Sequence, residues 1–157
     1  MENQQQTCVK QARVALYART NQAENEPNTI STEHQVDMLI AHCKQEGKEI
    51  IGIYSDDVGA SGIHIMNQHS LLQLLETAKQ GLFDEVLVWK IDRLARKTID
   101  VLQTVDMLEK YNVNLISLSE NFDASTRMGR FTLQMIAAVG ELGHNSLNTL
   151  ESREVSH

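Results

Sequence analysis

The sequence predicts an α/β domain with a mostly parallel central sheet, resting on three observations. Short apolar segments alternate with stretches of helical periodicity about 10 to 15 residues long. Glycines close the helical stretches. Polar clusters follow the apolar segments directly, where strand-to-helix loops of a parallel sheet share one edge. With 157 residues and 41% apolar side chains, the chain is long enough to bury a core.

Residues 1–11 read as a polar tail. Arg13-Val-Ala-Leu-Tyr-Ala-Arg19 suits a buried strand, and Gln22 to Asn28, with the only proline, Pro27, reads as a loop. Ser31 is placed to cap a helix carrying Val36, Leu39, Ile40 and Cys43, and Gly47 is placed to stop it. Glu49 to Tyr54 is the second strand. It ends in Ser55-Asp-Asp-Val-Gly-Ala-Ser-Gly62 and a loop reaching about Gln68. Leu71, Leu72, Leu74, Leu75 and Ala78 mark a second helix ending at Gly81. Asp84 to Lys90 is a third strand, Lys97 to Lys110 a third helix, and Val113 to Leu118 a fourth strand. From Thr126 a long helix is expected through Phe131, Leu133, Met135, Ile136, Val139 and Leu142. The organisation expected is a tail over 1–11, an α/β domain over 12–125, a long helix over 126–150 and a tail over 151–157.

Fourteen Lys and Arg against 21 Asp and Glu give a net charge of −7, which disfavours an independent nucleic-acid binder. One local exception stands out: Lys90, Arg93, Arg96 and Lys97 face only Asp92 within eight residues. No apolar run is long enough to span a bilayer and the N-terminus lacks a secretory pattern, so a cytoplasmic location with no membrane partner is expected. Two cysteines, Cys8 and Cys43, and no C-x-x-C spacing argue against a disulfide framework or zinc. The histidines show no metal spacing, so no cofactor is expected.

Topology brings Arg19-Thr-Asn21, the Asp56-Asp57 to Gly62 stretch, and Asp92-Arg93 to Arg96 to one sheet edge. Arg19, Arg93 and Arg96 would form an always-charged receptor for a phosphate or phosphodiester. Asp92 would orient them or exchange a proton. The plainer reading is that Asp92 caps a helix while the arginines pair with surface acids. A different class, a receiver-like Mg²⁺ protein using Asp56, Asp57 and Asp92, is also open to these residues.

Five motifs in order carry a resemblance: Tyr17-Ala-Arg19, Ser31-Thr-Glu-His-Gln35, Tyr54-Ser-Asp-Asp57 with Ser61-Gly62, Lys90-Ile-Asp-Arg-Leu-Ala-Arg96, and Thr126 to Arg130 as T-x-x-G-R. Together they resemble the N-terminal catalytic domain of the serine site-specific recombinases, the resolvase/invertase family, over about residues 12–145. The resemblance implies a serine hydroxyl attacking a DNA phosphodiester, with a phosphoserine bond forming and a 3′-hydroxyl leaving. It implies arginines stabilising the transferring phosphoryl group, with Arg19, Gln35, Asp92, Arg93 and Arg96 in the catalytic set. It implies no metal or nucleotide cofactor, DNA contacts from Lys90, Lys97, Arg127 and Arg130, and a dimer-forming long helix; its stripe of Phe131, Met135, Val139 and Leu142 is read either as that interface or simply as core.

The departures from the family pattern are specific. The nucleophile position, two residues after Arg19, holds Asn21, whose carboxamide has no hydroxyl to deprotonate. Gln68 stands where a loop arginine belongs, and Glu141-Leu-Gly-His144 replaces an acidic-aromatic-acidic-arginine run. The sequence ends at His157, without the DNA-binding region family members carry next. These departures predict a catalytically defective relative, a pseudoenzyme of mobile-element origin with weak DNA binding alone. Its expected partner is a second copy or a serine recombinase. The alternative is an active recombinase using a displaced hydroxyl from Thr20, Ser31 or Ser61.

Overall fold

The computed structural model describes residues 10–20, 30–56, 69–95, 97–136 and 138–139. Its elements are β1 (Arg13–Arg19), α1 (Thr32–Glu46), β2 (Glu49–Asp56), α2 (His69–Lys79), β3 (Glu85–Val88), a 3₁₀ turn (Ile91–Arg93), α3 (Thr98–Lys110), β4 (Asn114–Ser117) and β5 (Phe122–Asp123). A further helix, α4, covers residues 127–136 and continues at 138–139.

The strands form one sheet in the order β2-β1-β3-β4-β5. The first four are parallel and β5 is antiparallel to β4. β1 lies inside the sheet with both faces covered, which explains its near-continuous apolar sequence. On one face Val14, Leu16 and Leu87 pack with Leu39 and Cys43 of α1. On the other, Ala15, Tyr17, Val86 and Val88 pack with Leu71, Leu74 and Leu75 of α2 and Val101, Val105 and Leu108 of α3. β1 thus delivers Arg19 to the carboxyl edge of the sheet from its best-buried strand.

The caps follow the sequence reading for α1. The Ser31 hydroxyl accepts from the His34 amide at 3.2 Å. Gly47 ends the helix at φ 65°, a left-handed conformation that glycine adopts without steric cost. α2 begins at His69, just past the loop expected to reach about Gln68, and its first turn is capped from β2. The Asp56 carboxylate accepts from the amides of Ser70 at 2.9 Å and Leu71 at 3.1 Å.

The third strand is shorter than expected, because Trp89 and Lys90 leave the sheet to enter the 3₁₀ turn. β5 is two residues long, too short to produce a period, and was not anticipated. α4 begins as expected. Thr126 is its N-cap, accepting from the Gly129 amide at 2.9 Å and donating to the Asp123 carbonyl at 2.8 Å. Gly129 lies so close to β5 that a Cβ built on it would sit 1.9 Å from the Asp123 carbonyl oxygen. The expected extension of this helix to residue 150 and the tails at 1–9 and 151–157 lie outside the described residues, as do the loop segments 21–29 and 57–68.

Candidate active site

The carboxyl edge of the sheet gathers the ends of β1, β2, β3 and β4. Arg19, the last residue of β1, is only 3% exposed. Its Nε donates to the Arg93 carbonyl at 2.9 Å and its Nη2 to the Asp92 carbonyl at 2.8 Å. In return, Nη1 of Arg93 donates to the Arg19 carbonyl at 3.3 Å. The two arginines form a reciprocal clasp that fixes the turn after β3 to the end of β1. A guanidinium suits this role because its planar donors reach two acceptors at once.

Gln35 is fully buried in the first turns of α1 and reaches the same point. Its Nε2 donates to the carbonyls of Arg19 at 3.1 Å and Ile30 at 3.0 Å. The Asp92 carboxylate, half exposed, lies 3.0 Å from Arg93 Nε as an ion pair. That N–H does not point at the oxygen in hydrogen-bond geometry, so it is a charge contact rather than a directed bond. The structure therefore brings together Arg19, Asp92 and Arg93, which the strand-end topology placed at one edge, and Gln35, which the resemblance named. It also gives Arg19 an inward role in holding the turn.

Buried polar atoms without partners among the described residues concentrate here. They are Thr20 Oγ1, Gln35 Oε1 and Trp89 Nε1, with Arg93 Nε making only the charge contact. Each lies at or beside the carboxyl edge, and such groups cluster where function has priority over stability. The Thr20 hydroxyl, one of the candidate displaced nucleophiles, is enclosed in this arrangement. The Ser31 hydroxyl, a second, is the α1 cap. Asn21, Arg96, Ser61 and Gln68 fall outside the described residues.

Asp56 has a role different from that of a free metal ligand. It is buried, and besides capping α2 it accepts from the Tyr17 hydroxyl at 2.9 Å. Burial, reinforced by the neighbouring Asp56 charge, pushes the Tyr17 phenol well above its ordinary range, so it remains a proton donor to that carboxylate. With Asp56 committed to three donors and Asp92 paired with Arg93, the Mg²⁺ reading loses two of its three carboxylates. Among the described residues no group of three His, Cys, Asp or Glu side chains is arranged to hold a metal ion.

Of the residues expected to contact DNA, Lys90 is half-buried beside the turn, and Lys97 and Arg127 are exposed. Arg130 is exposed and lies 3.5 Å from Glu109 of α3. On α4, Leu133 is buried and Ile136 packs on the core, whereas Phe131, Met135 and Val139 are 54%, 48% and 68% exposed. The stripe is thus an exposed face rather than core. Leu142 lies outside the described residues.

Sequence reasoning missed Glu120. Its Oε2 accepts from the Ile91 amide at 2.9 Å and the Ser117 hydroxyl at 2.5 Å. It follows β4 directly, so applying the strand-end rule to the fourth strand as well as the first three would have found it.

The comparisons with known proteins agree with this arrangement. The family model described as "Resolvase, N terminal domain" matches residues 14–154. The chain belongs to the resolvase N-terminal domain family. It is 35% identical over 72 residues to the transposon Tn917 resolvase of Enterococcus faecalis, spanning 46% of this chain and 38% of that protein. It is 30% identical over 128 residues to a putative DNA recombinase of Bacillus subtilis, spanning 82% of this chain and 24% of that protein. Across the most similar curated relatives, the matched region is 24% to 60% of their length.

Two solved structures share the resolvase fold over 92% of this chain. The N-terminal catalytic domain of TP901-1 integrase is 29% identical with a TM-score of 0.71, and 99% of it is covered. A resolvase family site-specific recombinase from Streptococcus pneumoniae is 28% identical with a TM-score of 0.72, and 96% of it is covered. The motif resemblance is therefore borne out at the level of family and fold, and the chain is a serine recombinase-family catalytic domain. No helix among the described residues is long and apolar enough to cross a membrane.

Proposed function

We propose that this resolvase-family domain binds the phosphodiester backbone of DNA at the Arg19–Arg93 corner without cleaving it. It would act by pairing with a second copy or with a serine recombinase. The observation that carries this reading is the clasp itself. Arg19, Gln35, Asp92 and Arg93 are assembled at one edge, while the sequence places Asn21 two residues after Arg19. A carboxamide cannot supply the deprotonated hydroxyl that phosphoryl transfer to protein needs.

Two observations weigh against a displaced hydroxyl: Thr20 Oγ1 is buried and Ser31 Oγ caps α1. The exposed stripe of Phe131, Met135 and Val139 supports association through α4, since contiguous exposed apolar faces mark interaction surfaces. The relatives named as transposon resolvase and phage DNA-invertase support an origin in a mobile element.

The test is a search for a covalent protein–DNA bond. The wild-type domain, incubated with supercoiled DNA and then denatured in detergent, is expected to release all its DNA. A denaturant-resistant adduct that disappears on replacing one Ser or Thr would overturn the proposal.

A further inference from the structure

The turn that carries Asp92 and Arg93 is held from two sides. On its inner side, the Arg19 guanidinium binds the two carbonyls at its end. On its entry side, the only side chain among the described residues bonded to the Ile91 amide is Glu120. That amide opens the 3₁₀ turn, and its own carbonyl accepts from Leu94 at 3.0 Å. The Glu120 oxygen that holds Ile91 also accepts the Ser117 hydroxyl, which lies 3.3 Å from the Trp89 carbonyl. Backbone bonds from Leu118 to the Val88 carbonyl at 3.1 Å, and from Ser119 to the Trp89 carbonyl at 2.9 Å, run parallel to it. The segment after β4 is therefore a buttress for the segment after β3, and Glu120 holds it two residues before Arg93.

We infer that Glu120 is a positioning residue of the phosphodiester corner, setting through the Ile91 amide where Asp92 and Arg93 sit. Its hydrogen bonds among the described residues go to the Ile91 amide and the Ser117 hydroxyl and not to either arginine. A carboxylate oxygen is a strong acceptor for a backbone N–H, and such charge-assisted bonds are about twice as strong as neutral ones. The same residue lines a cavity of about 470 Å³ between the turn, β5 and α4, with Ile91, Phe122, Met128 and Ile136 among its walls. The inference rests on the corner binding DNA, and its test separates the two.

Amide hydrogen exchange and binding of a short fluorescent duplex are measured for the wild type, Glu120→Ala and Glu120→Gln. The Glu120→Ala variant is expected to speed exchange at Ile91 by about tenfold or more, the loss of one charge-assisted bond. It should weaken DNA binding several-fold, while the amides of Ala15 and Val86 in the sheet keep their protection. Glu120→Gln retains an acceptor oxygen and is expected to restore most of both. Unchanged exchange at Ile91 in Glu120→Ala overturns the inference. So does a uniform loss of protection across the sheet, which would make Glu120 a general brace, or a Gln variant as defective as Ala. A wild-type domain that binds no duplex overturns the DNA reading instead, and Ile91 exchange then still decides whether Glu120 positions the turn.

Discussion

Gly129 sits three residues into α4, where alanine would ordinarily be the better helix former by about 0.8–1 kcal/mol. The structure predicts the opposite outcome for Gly129→Ala. The added Cβ would lie 1.9 Å from the Asp123 carbonyl oxygen, 2.7 Å from its carbon and 3.1 Å from Thr126 Oγ1. Real Cβ atoms essentially never come within 3.0 Å of such a neighbour, so β5 and the start of α4 would have to separate by at least about 1 Å. The atoms in the way are backbone, not the free end of a side chain. Separation would stretch the Thr126 cap as well as the Ala124-to-Leu115 bond of 2.9 Å that ties β5 to β4. Overpacking of this kind costs about 1–3 kcal/mol, and loss of the cap about 1 kcal/mol more. Set against the propensity gain, the net expectation is destabilisation by about 1–3 kcal/mol in urea unfolding, with exchange accelerated first in residues 127–136. A Gly129→Ala protein as stable as the wild type, or more so, would refute the close docking of α4 on β5.

Three further outcomes follow from the same contacts. Arg19→Ala leaves the carbonyls of Asp92 and Arg93 without their buried donor, and thermal or urea unfolding is expected to register about 2–4 kcal/mol. Asp56→Ala removes both the α2 cap and the acceptor of the Tyr17 hydroxyl, a loss of about 2 kcal/mol by the same measurement. Acid stability should depend on two carboxylates. Hydrogen bonding to Arg13 holds Asp84 below the ordinary carboxylate range; at Asp123, burial opposes the shift but bonds from Ser125 and Asn114 outweigh it. Their unfolded forms protonate near pH 3.9. The stability they add is therefore present above that value and is lost as pH falls through their lower folded values. In equilibrium unfolding between about pH 5 and pH 2, Asp84→Asn and Asp123→Asn should each flatten the acid decline.

The sheet was legible because its strands announce themselves locally. Residues 14–18 of β1 are apolar without interruption since both faces are covered, and α1 carries its own Ser31 and Gly47 signals. The element that was missed depends on a distant partner: β5 exists only because β4 offers it an edge. At the site, the strand-end rule found Arg19, Asp92 and Arg93. It could not reveal that Arg19 faces inward onto two carbonyls, because backbone acceptors leave no mark in a sequence. Glu120 was passed over because the strand-end rule was applied to the first three strands and not to the end of β4.

The central claim is that this domain keeps a working phosphodiester-binding corner. Its most direct test is the affinity of a short duplex, followed by fluorescence anisotropy across a salt series, for the wild type and Arg93→Ala. The account predicts binding that weakens linearly in a log–log salt plot, and about a tenfold loss in the variant with a slope shallower by roughly 1. Equal affinity and equal slope for the two proteins, with both folded, would contradict it.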